Sequence, residues 1–276
     1  MVFAPLVEMN DGRSIPVIGF GVWQVPDDVV VDATVKALEV GYRHIDTAYL
    51  YHNERGVGEA LRRSELDRDD VFVTTKVWNT DHGYDQTLRA FDKSTGLLGI
   101  DEVDLYLIHW PTPARDVYLD SWRALIRLRE EGRARSIGVS NFHDAHLRKI
   151  IDETGVIPAI NQIELHPWLP QTELRDIDAR LGIKTEAWSP LGSGRLIDDP
   201  VIAEVSAKHG KSPAQVMVRW SIQLGNIVLP KSVTPERIEQ NIDVFDFQLD
   251  DADMAAIATL ESGRRTGPNP DEFNEA

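Results

Sequence analysis

Short apolar runs rich in β-branched residues alternate along this chain with longer stretches in which apolar positions recur every third or fourth residue. The short runs are Val17–Phe20, His44–Asp46, Val71–Val77, Val103–His109, Ser136–Ser140, Ala159–Glu164, Lys184–Trp188 and Ile227–Pro230. Runs of this kind, bounded by turn residues, fit strands buried on both faces. Between them, Val31, Thr34, Val35 and Leu38 share one helical face. So do Tyr118, Trp122, Leu125 and Ile126 before Gly132, and Leu147, Ile150, Ile151 and Thr154 before Gly155. Two further helices are predicted at Asp199–Lys208 and Asp250–Leu260. Ahead of the first strand, Val7–Pro16 predicts a hairpin turning at Asp11–Gly12, a pair suited to positive φ.

Eight strand–helix units in series, with no flexible linker, predict one α/β domain over residues 1–276 built on a parallel sheet. Its length suits a (β/α)8 TIM barrel, which typically takes about 250 residues. A doubly wound sheet is the competing architecture. The expected fold is therefore a (β/α)8 barrel with an N-terminal β-hairpin and two extra helices. The tail from Gly263 to Ala276, poor in apolar residues, is expected to be a loop folded over one end.

Composition narrows the chemistry. The chain has no cysteine, which excludes disulfides, thiol nucleophiles and thiolate metal sites. No metal is expected. Met1–Asn10 has no basic start followed by an apolar stretch, so no signal peptide is expected. No apolar run approaches the ~18 residues of a membrane span. A cytoplasmic monomer is the expectation. The net charge of −16 opposes binding to nucleic acid or to anionic membranes, so neither is an expected partner. An anionic cofactor would need a local basic site.

In a barrel the loops after the C-terminal strand ends build the active site. Asp46, Lys76, His109, Ser140–Asn141, Gln162, Trp188 and Lys231–Ser232 all fall near such ends, and Tyr51 follows the second strand. Any one of them alone could be a cap, a paired lysine or core packing. Together they describe a carbonyl reduction. Tyr51 can give a proton, and a neighbouring Lys76 ammonium lowers a phenol pKa from its usual ~10. Asp46 would hold the lysine, and His109 would bond the substrate oxygen. Trp23, Trp78 and Trp110, with His109, are candidates for the substrate wall, although each tryptophan could equally be core.

Five segments carry a resemblance: Gly41–Ala48 with Tyr51, Asn53–Glu54, Gly56 and Gly58; Thr74–Trp78; Asp104–Pro111; Ile137–Phe142; and Asn161–Pro167. In this order, over nearly the whole chain, they resemble the aldo-keto reductase family. Glu186–Gly192 and Asn241–Phe247 are similar to the prokaryotic 2,5-diketo-D-gluconic acid reductases within it. Ser189 departs from the glycine of those enzymes. The resemblance implies a catalytic tetrad of Asp46, Tyr51, Lys76 and His109, and an oxidoreductase of the alcohol dehydrogenase (NADP+) type acting on small carbonyl compounds.

The cofactor site is not a dinucleotide fingerprint, since Gly19–Phe20–Gly21 is too short for one. Lys231, Ser232 and Arg237 flank a helix start at Thr234–Pro235. That arrangement suits a phosphate, but a solvated mixed-charge helix reads the same way. The family resemblance implies NADPH, with Lys231, Ser232 and Arg237 at its 2′-phosphate, Gln240 and Asn241 at the adenine, and Val233 among the cofactor contacts. It places Ser140, Asn141 and Gln162 at the nicotinamide carboxamide and Trp188 on the ring, with Ser189, Leu191 and Leu229 completing the contacts. Two rivals remain at this stage: a barrel lyase using Lys76 as a Schiff base, and a non-catalytic binding protein on the same fold.

Overall fold

The computed structural model describes residues 4–275. Met1–Phe3 and Ala276, the ends of the segments expected to carry no leader and to cover the barrel, lie outside them. The hairpin forms from β1 (Leu6–Glu8) and β2 (Ser14–Pro16), with Val7 opposite Ile15. Of the Asp11–Gly12 pair only Gly12 takes positive φ, +80°. The one left-handed position of the turn thus falls on the residue with no Cβ.

Eight parallel strands follow in sequential order: β3 (Phe20–Gly21), β4 (His44–Asp46), β5 (Phe72–Val77), β6 (Val103–Ile108), β7 (Ala134–Ser140), β8 (Ile160–Glu164), β9 (Lys184–Trp188) and β10 (Ile227–Leu229). The first and last strands meet. Ile18 bridges Val228, and the Gly19 and Gly21 amides donate to the carbonyls of Val228 and Pro230 at 2.9 and 3.2 Å. The sheet is a closed barrel rather than an open one, as the length predicted. The first strand sits slightly later than the expected Val17–Phe20. Gly19 permits its close approach, because a Cβ there would lie 2.5 Å from His44 Nδ1.

Around the barrel run α1 (Asp27–Val40), α2 (Glu54–Arg63), α3 (Tyr84–Leu98), α4 (Tyr118–Glu130), α5 (Asp144–Thr154), α6 (Thr172–Leu181), α7 (Pro200–His209), α8 (Pro213–Gln223), α9 (Pro235–Ile242) and α10 (Asp251–Ala258). The two extra helices are α7 and α10. Lys208 and His209 of α7 both bond Asp253 at 2.7 Å, and Asp253 forms a capping box with Asp250 at the start of α10. None of these helices is long and apolar enough to cross a membrane.

The predicted stripe of α1 is rotated. Val30, Ala33, Thr34, Ala37 and Leu38 are buried, while Val31 and Val35 sit at the margin. Small residues face inward here because α2 lies very close. A Cβ at Gly56 would come within 2.4 Å of Val30 Cγ1, and one at Gly58 within 2.1 Å of the Leu98 carbonyl oxygen. Gly58→Ala is therefore expected to force α2 and α3 apart and to cost about 1–3 kcal/mol through overpacking. A thermal melt should show a midpoint several degrees lower; an unchanged midpoint would mean that the two helices have slack.

The barrel interior is stratified. At the bottom, Met9 and Ile15 of the hairpin pack on Leu105, Leu107, Ile160 and Ile227 and close that end. Higher up the interior turns polar, with His44, Thr74, Lys76, Gln162 and Glu186 all buried. Buried polar groups need partners, and those partners define the site.

Candidate active site

Lys76 is fully buried in β5. Its ammonium lies 2.8 Å from each oxygen of Asp46 on β4, 2.9 Å from the Thr47 carbonyl and 3.5 Å from the Tyr51 hydroxyl. Burial alone works against this charge. Asp46, followed by Tyr51, more than offsets the penalty and raises the lysine pKa. An ammonium held in this way has no free lone pair, which tells against a Schiff-base nucleophile.

Tyr51 is presented by a short turn after β4. Asn53, wholly buried, pins that turn: its amide donates to the Val22 and Val25 carbonyls at 2.9 Å and its oxygen accepts from Thr47 at 2.8 Å. This accounts for the asparagine of the first family-like segment. The Tyr51 phenol differs from the sequence expectation. Burial pushes it up to about 12, and Lys76 pulls it down without winning. The residue therefore stays protonated at rest.

His109 packs edge-on against Tyr51 and Trp78, with ring centroids 5.6 and 5.1 Å away. Burial, aided by the Lys76 charge, takes its pKa well below the usual histidine range, so the imidazole is neutral. Its Nδ1 is buried without a partner. The ring lines the cleft and has no side-chain hydrogen bond to any described residue.

These groups sit beneath a cleft of about 660 Å³ at the C-terminal end of the barrel, within the usual range for small-ligand sites. The structure brings Trp23, Trp78, Trp110, Ser140, Asn141, Gln162, Trp188, Ser189, Leu191, Leu229, Lys231, Ser232, Arg237, Gln240 and Asn241 onto its walls, with Asp46, Tyr51 and His109. Lys76 lies just behind. Val233 is the exception, exposed and not on the cleft wall.

Several of these side chains are tied to one another. Asn141 donates to the His109 carbonyl at 2.9 Å and to Ser140 Oγ at 3.0 Å, and accepts from Trp188 Nε1 at 2.8 Å. Gln162 donates to Asp46 and Glu186. Four non-glycine residues on the walls, Gln24, Asn141, Ser189 and Ser193, hold φ between 54° and 62°. Such strain gathers where surroundings over-determine a site. For Ser189 it also explains why glycine is the less strained choice at that position.

Sequence reasoning missed the share of the tail. Thr266, Gly267, Pro268 and Phe273 line the cleft, and the expected folding over one end of the barrel is realised. Buried Glu164 is the anchor, accepting from Thr266 Oγ at 2.7 Å and from the Thr266 and Gly267 amides. Burial resists its charge, but these bonds and His166 prevail and lower its pKa. Phe273 packs on Trp110 with centroids 4.6 Å apart. Asp271 accepts from His143 at 2.9 Å, and Asn79 donates to the Glu275 carbonyl at 2.7 Å. Phe273 is the only aromatic residue of a tail otherwise low in apolar content, and that was the one available signal.

A closed parallel barrel carrying these residues at its C-terminal mouth is that of an oxidoreductase class, and the chain belongs to it: the aldo/keto reductase family matches residues 17–262. The chain is 58% identical over 271 residues to an aldo-keto reductase of Mycolicibacterium smegmatis, covering 98% of both chains. It is 48% identical over 270 residues to methylglyoxal reductase DkgA of Escherichia coli, covering 97% of this chain and 98% of that one. Among solved structures, a Gox0644 variant in complex with NADPH superposes with a TM-score of 0.94 at 47% identity, covering 98% of each chain.

Proposed function

We propose that this protein reduces the carbonyl of small aldehydes, ketones or dicarbonyls to an alcohol, with NADPH as cofactor and Tyr51 as proton donor. The observation that carries this is the Lys76 ammonium, fixed by Asp46 and lying 3.5 Å from the Tyr51 hydroxyl under the cleft.

The residues present fit NADPH. Lys231 and Arg237 are exposed on the cleft wall and have no hydrogen-bond or ion-pair partner among the described residues. Thr234 is the N-cap of α9, as expected; its side chain makes no capping bond, and of the first-turn residues Pro235 has no N–H while the Arg237 amide donates to the Thr234 carbonyl, so only the Glu236 amide is left for an anion. Two idle cations beside the start of α9 suit the 2′-phosphate, with Ser232 alongside and Gln240 and Asn241 toward the adenine. Ser140, Asn141 and Gln162 would hold the carboxamide and Trp188 the ring face, with Ser189, Leu191 and Leu229 along the remaining length. When bound, the reduced nicotinamide supplies the hydride.

The chain's own residues do the rest. Tyr51 gives its proton to the carbonyl oxygen as negative charge develops there. Lys76 stabilises the tyrosinate that remains, and Asp46 keeps Lys76 charged. The neutral His109 ring offers one N–H to the same oxygen and fixes its direction. The tryptophan walls and the tail residue Phe273 keep water from the reacting atoms.

NADPH consumption with methylglyoxal tests this reading, since similar chains include methylglyoxal reductases. Failure to oxidise NADPH with any small carbonyl would leave a binding protein instead. The cofactor preference has its own test. The acidic surface repels a polyanion at long range, so selectivity must come from short contacts. Charge-assisted hydrogen bonds contribute roughly 1.5–3 kcal/mol each, and 1.4 kcal/mol is about tenfold in affinity. Arg237→Ala is expected to weaken NADPH by about tenfold or more and to leave NADH nearly unchanged. Fluorescence titration of both cofactors reads this directly; equal losses would show that Arg237 does not read the phosphate.

A further inference from the structure

A second carboxyl lies next to the Asp46–Lys76 pair and has no part in the chemistry above. Glu186, in the middle of β9, is fully buried. Its Oε2 accepts from Gln162 Nε2 at 2.7 Å, and the same nitrogen donates to Asp46 Oδ2 at 2.9 Å. The two N–H bonds of one amide therefore join two carboxyl groups, one of which grips Lys76. Two acceptors on the nitrogen also decide the orientation of the Gln162 amide, which is otherwise ambiguous. Glu186 Oε1 has no hydrogen-bond partner, and His44 Nε2 stands 3.8 Å from it.

Two carboxylates and one lysine leave a surplus negative charge in a buried space. Burial, and then the Asp46 charge, push Glu186 up to about 8. Burial likewise takes His44 down to about 3, so its ring is neutral. At neutral pH neither Glu186 nor His44 then adds a charge beside the Asp46–Lys76 ion pair. The charged and titratable groups around Glu186 are His44 and Asp46 from β4 and Lys76 from β5. Strand β8 adds the neutral Gln162, and β10 is apolar.

We propose that Glu186 is a positioning residue: through Gln162 it orients the Asp46–Lys76 pair, and it does so without placing a second anion in competition with Tyr51 for the lysine. The proposal rests on Tyr51 being the proton donor. Ionised Glu186 is one of the anions that raise the Tyr51 pKa, so its ionisation makes the phenol a weaker acid and slows reduction.

The test compares kcat for methylglyoxal reduction against pH in wild type, Glu186→Gln and Glu186→Leu, with infrared difference spectra of the same proteins. In wild type kcat should fall as pH rises through about 8. One pH unit above that midpoint the protonated fraction is down about tenfold, and kcat should have fallen most of the way to the lower value of the ionised form. Glu186→Gln keeps an acceptor for Gln162 but cannot ionise, so this limb should vanish. Glu186→Leu also loses the limb but removes the acceptor as well, and should lower kcat below that of Glu186→Gln at every pH. The infrared spectra should show a protonated-carboxyl band at neutral pH that disappears on raising the pH and is missing from both variants. Superimposable kcat profiles for wild type and Glu186→Gln, or no band that depends on Glu186, would overturn the proposal. A wild type that reduces no carbonyl but shows the band would instead overturn the catalytic reading of Tyr51.

Discussion

Tyr51→Phe is expected to lower kcat for carbonyl reduction by at least about 10²-fold, the scale of general acid catalysis, with NADPH affinity nearly intact. The phenylalanine ring keeps the packing against His109, whose centroid is 5.6 Å away, so the cleft should hold its shape. Only the hydroxyl next to Lys76 is lost. Without it the developing alkoxide must take its proton from water, in a place shaped to exclude water. A factor of 10² corresponds to about 2.7 kcal/mol of barrier. Steady-state turnover together with a cofactor titration checks both halves. Turnover near wild type in the variant would remove Tyr51 from this role; a parallel loss of NADPH binding would point to a collapsed site.

Lys76→Met is expected to damage both turnover and stability. Methionine fills the volume of the alkyl stem but leaves Asp46 buried with no cation. Breaking one side of a buried ion pair costs about 3–5 kcal/mol of stability. Turnover should fall by about 10²-fold or more, because nothing then stabilises the tyrosinate in an interior where burial already opposes it. Asp46→Asn should cost less. Its side-chain oxygen can still accept from Lys76, and the Thr47 carbonyl still holds the ammonium. Chemical denaturation and kcat for the two variants decide the order. A larger turnover loss in Asp46→Asn, with the fold intact, would mean that the carboxylate rather than the ammonium controls the phenol.

The pattern of apolar runs was enough to place all eight barrel strands within a few residues and to anticipate the hairpin, α7 and α10. Burial on both faces of a parallel strand leaves a continuous apolar signature, and a helix leaves a stripe. Both are local and survive in the sequence. The stripe of α1 was offset because its neighbour is a glycine face, and only the partner helix reveals that. The grouping of Asp46, Lys76 and His109 was legible for a different reason: they stand at or near consecutive strand ends, which a barrel places side by side. The idle cations Lys231 and Arg237 were legible as a charge anomaly in an acidic chain.

By itself, then, the sequence determined the barrel, the strand-end placement of Asp46, Lys76 and His109 and the presence of Lys231 and Arg237 about the start of α9, since each rests on short-range periodicity or on strand-end position. Only the tertiary structure decided how those groups behave. Tyr51 is raised rather than lowered because burial outweighs the ammonium beside it, and no local pattern records how much water a fold removes. Gln162 reaches Asp46 across 116 residues of chain, and Thr266 reaches Glu164 across 102. Such contacts depend on closing the barrel and laying the tail across its mouth. They bring Glu186 next to the Asp46–Lys76 pair and lay Phe273 on Trp110.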